Sequence, residues 1–158
     1  MHLLRFLFLT FTAGLLLTSF RSTDEAMVPY YILFAGASTN FTTLDSTAQK
    51  ISAATGINYK NTLVYDEKRG MIVPDTSSDE IYAGSYFPRR YAEERISIEM
   101  AWYYHGGTEN DSSASKTMCI ITGIYGTKKE ATEKLVSVKK IVPDAYVKKV
   151  KLYQGRMH

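Results

Sequence analysis

The stretch that decides the fold is Ile121-Thr122-Gly123-Ile124-Tyr125-Gly126-Thr127-Lys128-Lys129-Glu130-Ala131, continued through Leu135, Val138, Val142 and Pro143-Asp144 to Ala145-Tyr146-Val147. An apolar, β-branched run reaching a glycine predicts a strand, and a glycine late in a strand marks a bulge or a close backbone approach. Thr127 and Glu130 have the spacing of a capping box, in which each side chain satisfies the other's free backbone N–H at a helix start. Ala131, Leu135, Val138 and Val142 then recur at helical spacing as one apolar stripe, with lysines on the outer face. Pro143-Asp144 ends the helix, and Ala145 to Tyr153, rich in Val, Tyr and Leu, predicts a second strand. The whole is a β-α-β unit.

Moving outward, the first half echoes it. Tyr30 to Ala37 predicts a strand, Asn40 to Thr43 a polar turn, and Thr43 to Thr55 a helix. Leu44, Ala48 and Ile51 share one side of that helix, and Gly56 is its C-terminal stop. Asn61 to Tyr65 predicts the next strand, and Asp66-Glu67-Lys68-Arg69-Gly70 turns it into Met71-Ile72-Val73 as a hairpin. Between the two units lies an insertion, about residues 74–117. Within it Ile81 to Phe87 predicts a strand. Ile96, Ile98, Met100, Trp102 and Tyr104 alternate with Ser97, Glu99, Ala101 and Tyr103, which predicts a second strand with one apolar face. The Gly-, Ser- and Asn-rich residues from His105 to Lys116 predict a loop. Three segments end alike, at Gly36, Gly84 and Gly123.

The N-terminus is a separate matter. A basic start, Met1 to Arg5, precedes an almost wholly apolar run from Phe6 to Leu17 and small residues at Thr18 and Ser19. This is the layout of a secretory signal peptide over residues 1–22, shorter than the roughly 20 apolar residues of a spanning helix. Export is therefore expected, with membrane attachment only through an uncleaved signal. The remainder, residues 23–158, is expected to be one domain. It carries 17 basic and 16 acidic residues, because only Arg5 and Arg21 leave with the signal. Charge is uneven: Gly126 to His158 holds nine Lys/Arg against three Asp/Glu. A near-neutral exported chain is a poor candidate for nucleic-acid binding. The single Cys119 excludes an intrachain disulfide framework, and its apolar neighbours predict a core thiol.

The two β-α-β units, each opening with a strand that ends in glycine, resemble the SPOR (sporulation-related repeat) domain. The resemblance is carried best by Ile121-Thr122-Gly123-Ile124-Tyr125, Lys129-Glu130-Ala131 and Pro143-Asp144-Ala145-Tyr146-Val147. It implies an α+β, ferredoxin-like β-α-β-β-α-β fold, here with an inserted β-hairpin and loop in the middle. It also implies binding of peptidoglycan glycan strands in the bacterial periplasm or cell envelope. Family members place a polar residue two positions before the strand glycine, on the face that meets glycan. Here those positions hold Phe34 and Ile121.

Catalytic chemistry has little to build on. Outside the signal the histidines are His105 and His158, neither in an H-x-x-x-H or H-E-x-x-H spacing, so no metal site is expected. The acid pairs Asp79-Glu80 and Glu93-Glu94 lie in polar connections that suit solvated carboxylates. No catalytic residue and no cofactor is expected. The candidate ligand-binding residues are Tyr82, Ser85, Tyr86, Arg89 and Arg90, with Trp102 and Tyr104 on the expected partner strand. Aromatic faces stack on sugar rings, and an arginine fork donates to hydroxyl or carboxylate groups. The same residues also suit a half-buried hairpin whose arginines pair with Glu93 and Glu94. Expected function is thus non-catalytic glycan binding, or alternatively a periplasmic protein–protein module such as an inhibitor, immunity protein or envelope-complex adaptor.

Overall fold

The two units are interleaved. The structure, a computed structural model, describes residues 27–59, 63–77, 83–84, 95–105 and 116–153. Its elements are β1 (Met27–Ser38), α1 (Phe41–Thr55), β2 (Asn58–Tyr59), β3 (Val64–Asp66), β4 (Gly70–Ile72), β5 (Arg95–Met100), α2 (Trp102–His105), β6 (Met118–Tyr125), α3 (Lys128–Lys139) and β7 (Tyr146–Tyr153). The class is α+β. One mixed five-stranded sheet has the order β2-β5-β6-β1-β7, and β3 with β4 forms a separate two-stranded sheet. β1 therefore stands between β6 and β7, the two strands that α3 connects, while β6 stands between β1 and β5. Residues Pro29–Leu152 form one compact unit; of the other, Met1–Val28 with Tyr153–His158, only Met27, Val28 and Tyr153 are described.

The end of α1 and the start of α3 form where their signals place them, while α1 begins at Phe41, two residues before the expected Thr43. Asn40 caps α1, its side-chain oxygen accepting from the Thr43 N–H at 3.0 Å. Gly56 closes it in the left-handed region (φ +73°), its N–H reaching the Ser52 carbonyl at 2.9 Å. A residue with a Cβ is strained there, which is why glycine ends the helix. At α3 both halves of the capping box are present: Glu130 N–H donates to Thr127 Oγ1, and Thr127 N–H to Glu130 Oε2. Both helices cover one face of the sheet. Leu44, Ala48, Ile51 and Val138 are buried there against Leu33 and Ala35 of β1, Ile96, Ile98 and Met100 of β5, and Met118 and Ile120 of β6. Full burial of each of the Leu, Ile, Val and Met side chains contributes about 1.5–3 kcal/mol.

The glycines of the two central strands do different work. At Gly36 (φ +129°) the β1–β6 register shifts between Phe34 and Ala37, a bulge that needs a residue free to take positive φ. At Gly123 the Tyr125 ring leans back over the strand, and any Cβ would run into it.

The Asp66–Gly70 turn forms the expected hairpin. Asp66 Oδ1 accepts from the N–H groups of Lys68 (2.9 Å) and Arg69 (2.8 Å), and these backbone donors hold its carboxyl below the usual range. Arg69 also reaches both Asp75 oxygens at 3.0 Å, an exposed pair of small energetic weight.

Three strand expectations differ from the structure. The strand expected over Asn61 to Tyr65, as the close of the first β-α-β unit, pairs from Val64 on with β4 in the separate two-stranded sheet and not in the sheet of β1. Residues 61 and 62 lie outside the described residues. The second strand of the insertion, predicted over Ile96 to Tyr104, stops at Met100. Ala101 N–H then bonds the Thr117 carbonyl at 2.9 Å, and residues 102–105 coil into α2. β5 is also no outlying hairpin strand. It pairs antiparallel with β6 and parallel with β2, and Ile96 to Ala101 are all buried, so both faces are covered. Of the strand predicted over Ile81 to Phe87, the described residues Ala83-Gly84 form a turn. Gly84 (φ +70°) sits so close to Asp75 that a Cβ would meet its Oδ1 at 2.5 Å. The rest of that strand lies outside the described residues, as do residues 1–26.

Candidate binding site

The sheet face away from the helices is the one the resemblance assigns to ligand, and Phe34 lies at its centre. Tyr146 stacks on Phe34 (5.1 Å between centroids, 16° between planes), and Tyr104 of α2 meets it edge-on (5.6 Å, 78°). Phe34 and Ile121 are 1% and 2% exposed. The two positions where the family presents polar groups are therefore buried, Phe34 beneath Tyr104 of α2 and flanked within the sheet by Tyr146 of β7. Lys148 fixes the lid, its Nζ donating to the Tyr104 carbonyl at 3.2 Å and lying 3.0 Å from His105 Nδ1.

The same layer buries polar groups. Ser97 and Glu99 stand opposite Ile121 and Cys119 in the β5–β6 pairing, so their side chains share that face. Glu99 is 1% exposed, and its two carboxyl oxygens accept from the hydroxyls of Ser97 and Tyr104. A carboxyl taken out of water is tolerated only with such donors. Burial pushes the Cys119 thiol well up, and the neighbouring Glu99 carboxyl adds to the shift. A protonated, buried thiol is a poor nucleophile. Desolvation, then the Lys148 charge, holds His105 below its ordinary value, which suits an Nδ1 that accepts from the ammonium. The arrangement locks a lid over its titratable groups.

Of the candidate ligand residues, Tyr82, Ser85, Tyr86, Arg89 and Arg90 lie outside the described residues. Trp102 and Tyr104 lie on α2 and not on a strand, and they part company. Trp102 is half-buried against the helix-side core, while Tyr104, 2% exposed, is spent on Glu99 and Phe34. Glu93, Glu94, Asp79 and Glu80 are also outside the described residues. Among the described residues no group of three or more His, Cys, Asp or Glu side chains has metal-binding geometry, and no helix is long and apolar enough to cross a membrane.

A cleft of about 340 Å³ opens on the other side of the sheet, where α1 ends. Thr55, Gly56, Ile57 and Asn58 form one wall, Thr122 and Tyr125 of β6 the floor, and Lys134 of α3 the far rim. Asn58, Thr122 and Lys134 were not distinguishable in sequence as site residues, because only the packing of α1 beside α3 brings them together. Gly123 was the one visible signal, since it makes room for the Tyr125 ring.

Comparison of the chain with protein-family models, with curated proteins and with solved structures returns no match.

Proposed function

We propose that the chain is an exported, non-catalytic binding protein of the bacterial cell envelope whose ligand is peptidoglycan glycan. The observation that supports this reading is the central pair of glycine-bearing strands, β1 and β6, each leading into a helix on the same face of the sheet. The path β1-α1-β5-β6-α3-β7, with strands in the order β5-β6-β1-β7, is compatible with a ferredoxin-like β-α-β-β-α-β domain and supports the SPOR-type reading. In this reading β2 and the β3–β4 hairpin are additions before the second core strand. Purified sacculi, intact and amidase-treated, test the reading by co-sedimentation. Retention on either is the expected result, and none on both overturns it.

One observation favours a second reading. Phe34 and Ile121 are buried beneath Tyr104, so the family's glycan-facing surface is closed at those positions. A module that binds an envelope protein keeps the fold and has no use for an open glycan face. A stoichiometric protein partner recovered from envelope extracts, with no retention on sacculi, decides for it.

A further inference from the structure

We propose that the cleft at the end of α1 holds one uncharged pyranose ring, placing the sugar site on the helix side of the sheet. The inference rests on the glycan reading above and relocates its ligand. Its volume of about 340 Å³ stands at the small end of ligand clefts, room for one ring and no extended chain.

The lining has the chemistry of sugar recognition. Tyr125 supplies an aromatic wall, held over Gly123 where any other residue would collide with the ring. Aromatic faces take the apolar C–H face of a pyranose, while hydroxyls need donors and acceptors at the rim. The exposed Asn58 amide offers both.

The walls are fixed before any ligand arrives. Thr55 Oγ1 donates to the Ile51 carbonyl at 2.7 Å and accepts from the Ile57 N–H at 3.3 Å. Ser52 Oγ donates to the Ile57 carbonyl at 2.7 Å, and Thr122 Oγ1 to the Leu33 carbonyl at 3.4 Å. A site already ordered loses little conformational freedom on binding.

Electrostatics selects a neutral ligand. No Asp or Glu lines the cleft among the described residues, which disfavours a cation. The single ammonium, Lys134, faces the negative end of the α1 dipole, so its charge is partly answered and an anion gains little. With Phe34 and Ile121 buried on the opposite face, polar groups and a ring edge converge at this cleft.

The test is an NMR titration of the isotope-labelled full chain with N-acetylglucosamine, with inorganic phosphate as the anionic control. Saturable shifts confined to Asn58, Thr122, Tyr125 and Lys134, absent with phosphate, are expected. Asn58→Ala and Lys134→Met, both at exposed side chains, should each weaken binding about 2- to 10-fold with an unchanged fold spectrum. Shifts centred elsewhere, phosphate as the better ligand, or full affinity in both variants overturns the proposal. The sacculus assay separates this from the reading it rests on. Retention on sacculi without sugar-induced shifts here sinks the cleft alone, whereas shifts here without retention uphold the cleft and sink the glycan-chain function.

Discussion

The two faces of the sheet are built on opposite plans. The core on the helix side is apolar, closed by two amphipathic helices whose stripes lie on Leu33, Ala35, Ile98 and Ile120. The other side is covered by the four-residue helical turn of α2, with side chains of the edge strand β7 at its flank, and it encloses Ser97, Glu99 and Cys119 among Ile32, Phe34 and Ile121. The first plan is additive: every buried methylene contributes, and few geometries matter. The second depends on a few hydroxyls meeting one carboxyl, so it is specific and easily broken.

The largest expected effect belongs to the helix side. Ile51→Ala, at a fully buried position on α1, should destabilise by about 2–5 kcal/mol in denaturant unfolding. A cost near that of a surface substitution would mean that α1 does not seal this core. Next comes Tyr104→Phe, which keeps the ring on Phe34 and removes only the hydroxyl donated to Glu99. About 1–3 kcal/mol should be lost, because the carboxyl oxygen is left without that donor. If the two substitutions cost the same, the contrast between additive and specific faces sharpens into a difference of kind and not of size. Thr127→Ala, which deletes the α3 cap, should cost about 0.5–2 kcal/mol and test a helix end remote from either core.

Two smaller effects probe the polar side alone. Iodoacetamide should leave native Cys119 unmodified near pH 8 and alkylate it once denaturant opens the sheet, since burial keeps the thiol protonated. Rapid native alkylation, followed by mass spectrometry, would show the lid to be open. The smallest concerns acid. His105 has its pKa held below the ordinary 6.5 by desolvation and by Lys148. As pH falls below 6.5 the unfolded chain takes up this proton before the folded one does, so the stability present above that value declines. His105→Gln should remove that part of the decline between pH 7 and 5, read as the shift of the denaturation midpoint with pH.

What was legible from residues alone follows the same division. Thr127 with Glu130, Gly56, and the stripes through Ala48 and Val138 are local signals, and local signals sufficed for α1, α3 and β7. Cys119 was legible as core from its apolar neighbours, and it is 1% exposed. The Ser97 and Glu99 side of β5 was not. In Ile96-Ser97-Ile98-Glu99-Met100 the alternation predicts a wet face, whereas Tyr104, returning over Phe34 and donating to Glu99, helps to bury it. That return depends on the bond from Ala101 N–H to the Thr117 carbonyl, a partner 16 positions away across a stretch that carries no periodic pattern. The candidate ligand residues suffered likewise: Trp102 and Tyr104 continue the alternation by count, although the backbone has already left the strand. The cleft had no local signature, since Asn58, Tyr125 and Lys134 come from three elements.

The interleaving of β1 with β6 and β7 also bears on how the chain acquires its structure. Thr122 donates to the Leu33 carbonyl across 89 positions of sequence, and β1 is hydrogen-bonded on both sides by strands that come after all of the first unit. During synthesis β1 and α1 emerge long before either neighbour of β1 exists. Until then Ile32, Leu33, Phe34 and Ala35 form an apolar strand with two open edges, the kind of surface that invites wrong pairing. Neither β-α-β unit completes its own sheet, so assembly cannot proceed in halves. β7, made after all of these elements, is the strand that ends the exposure of the first.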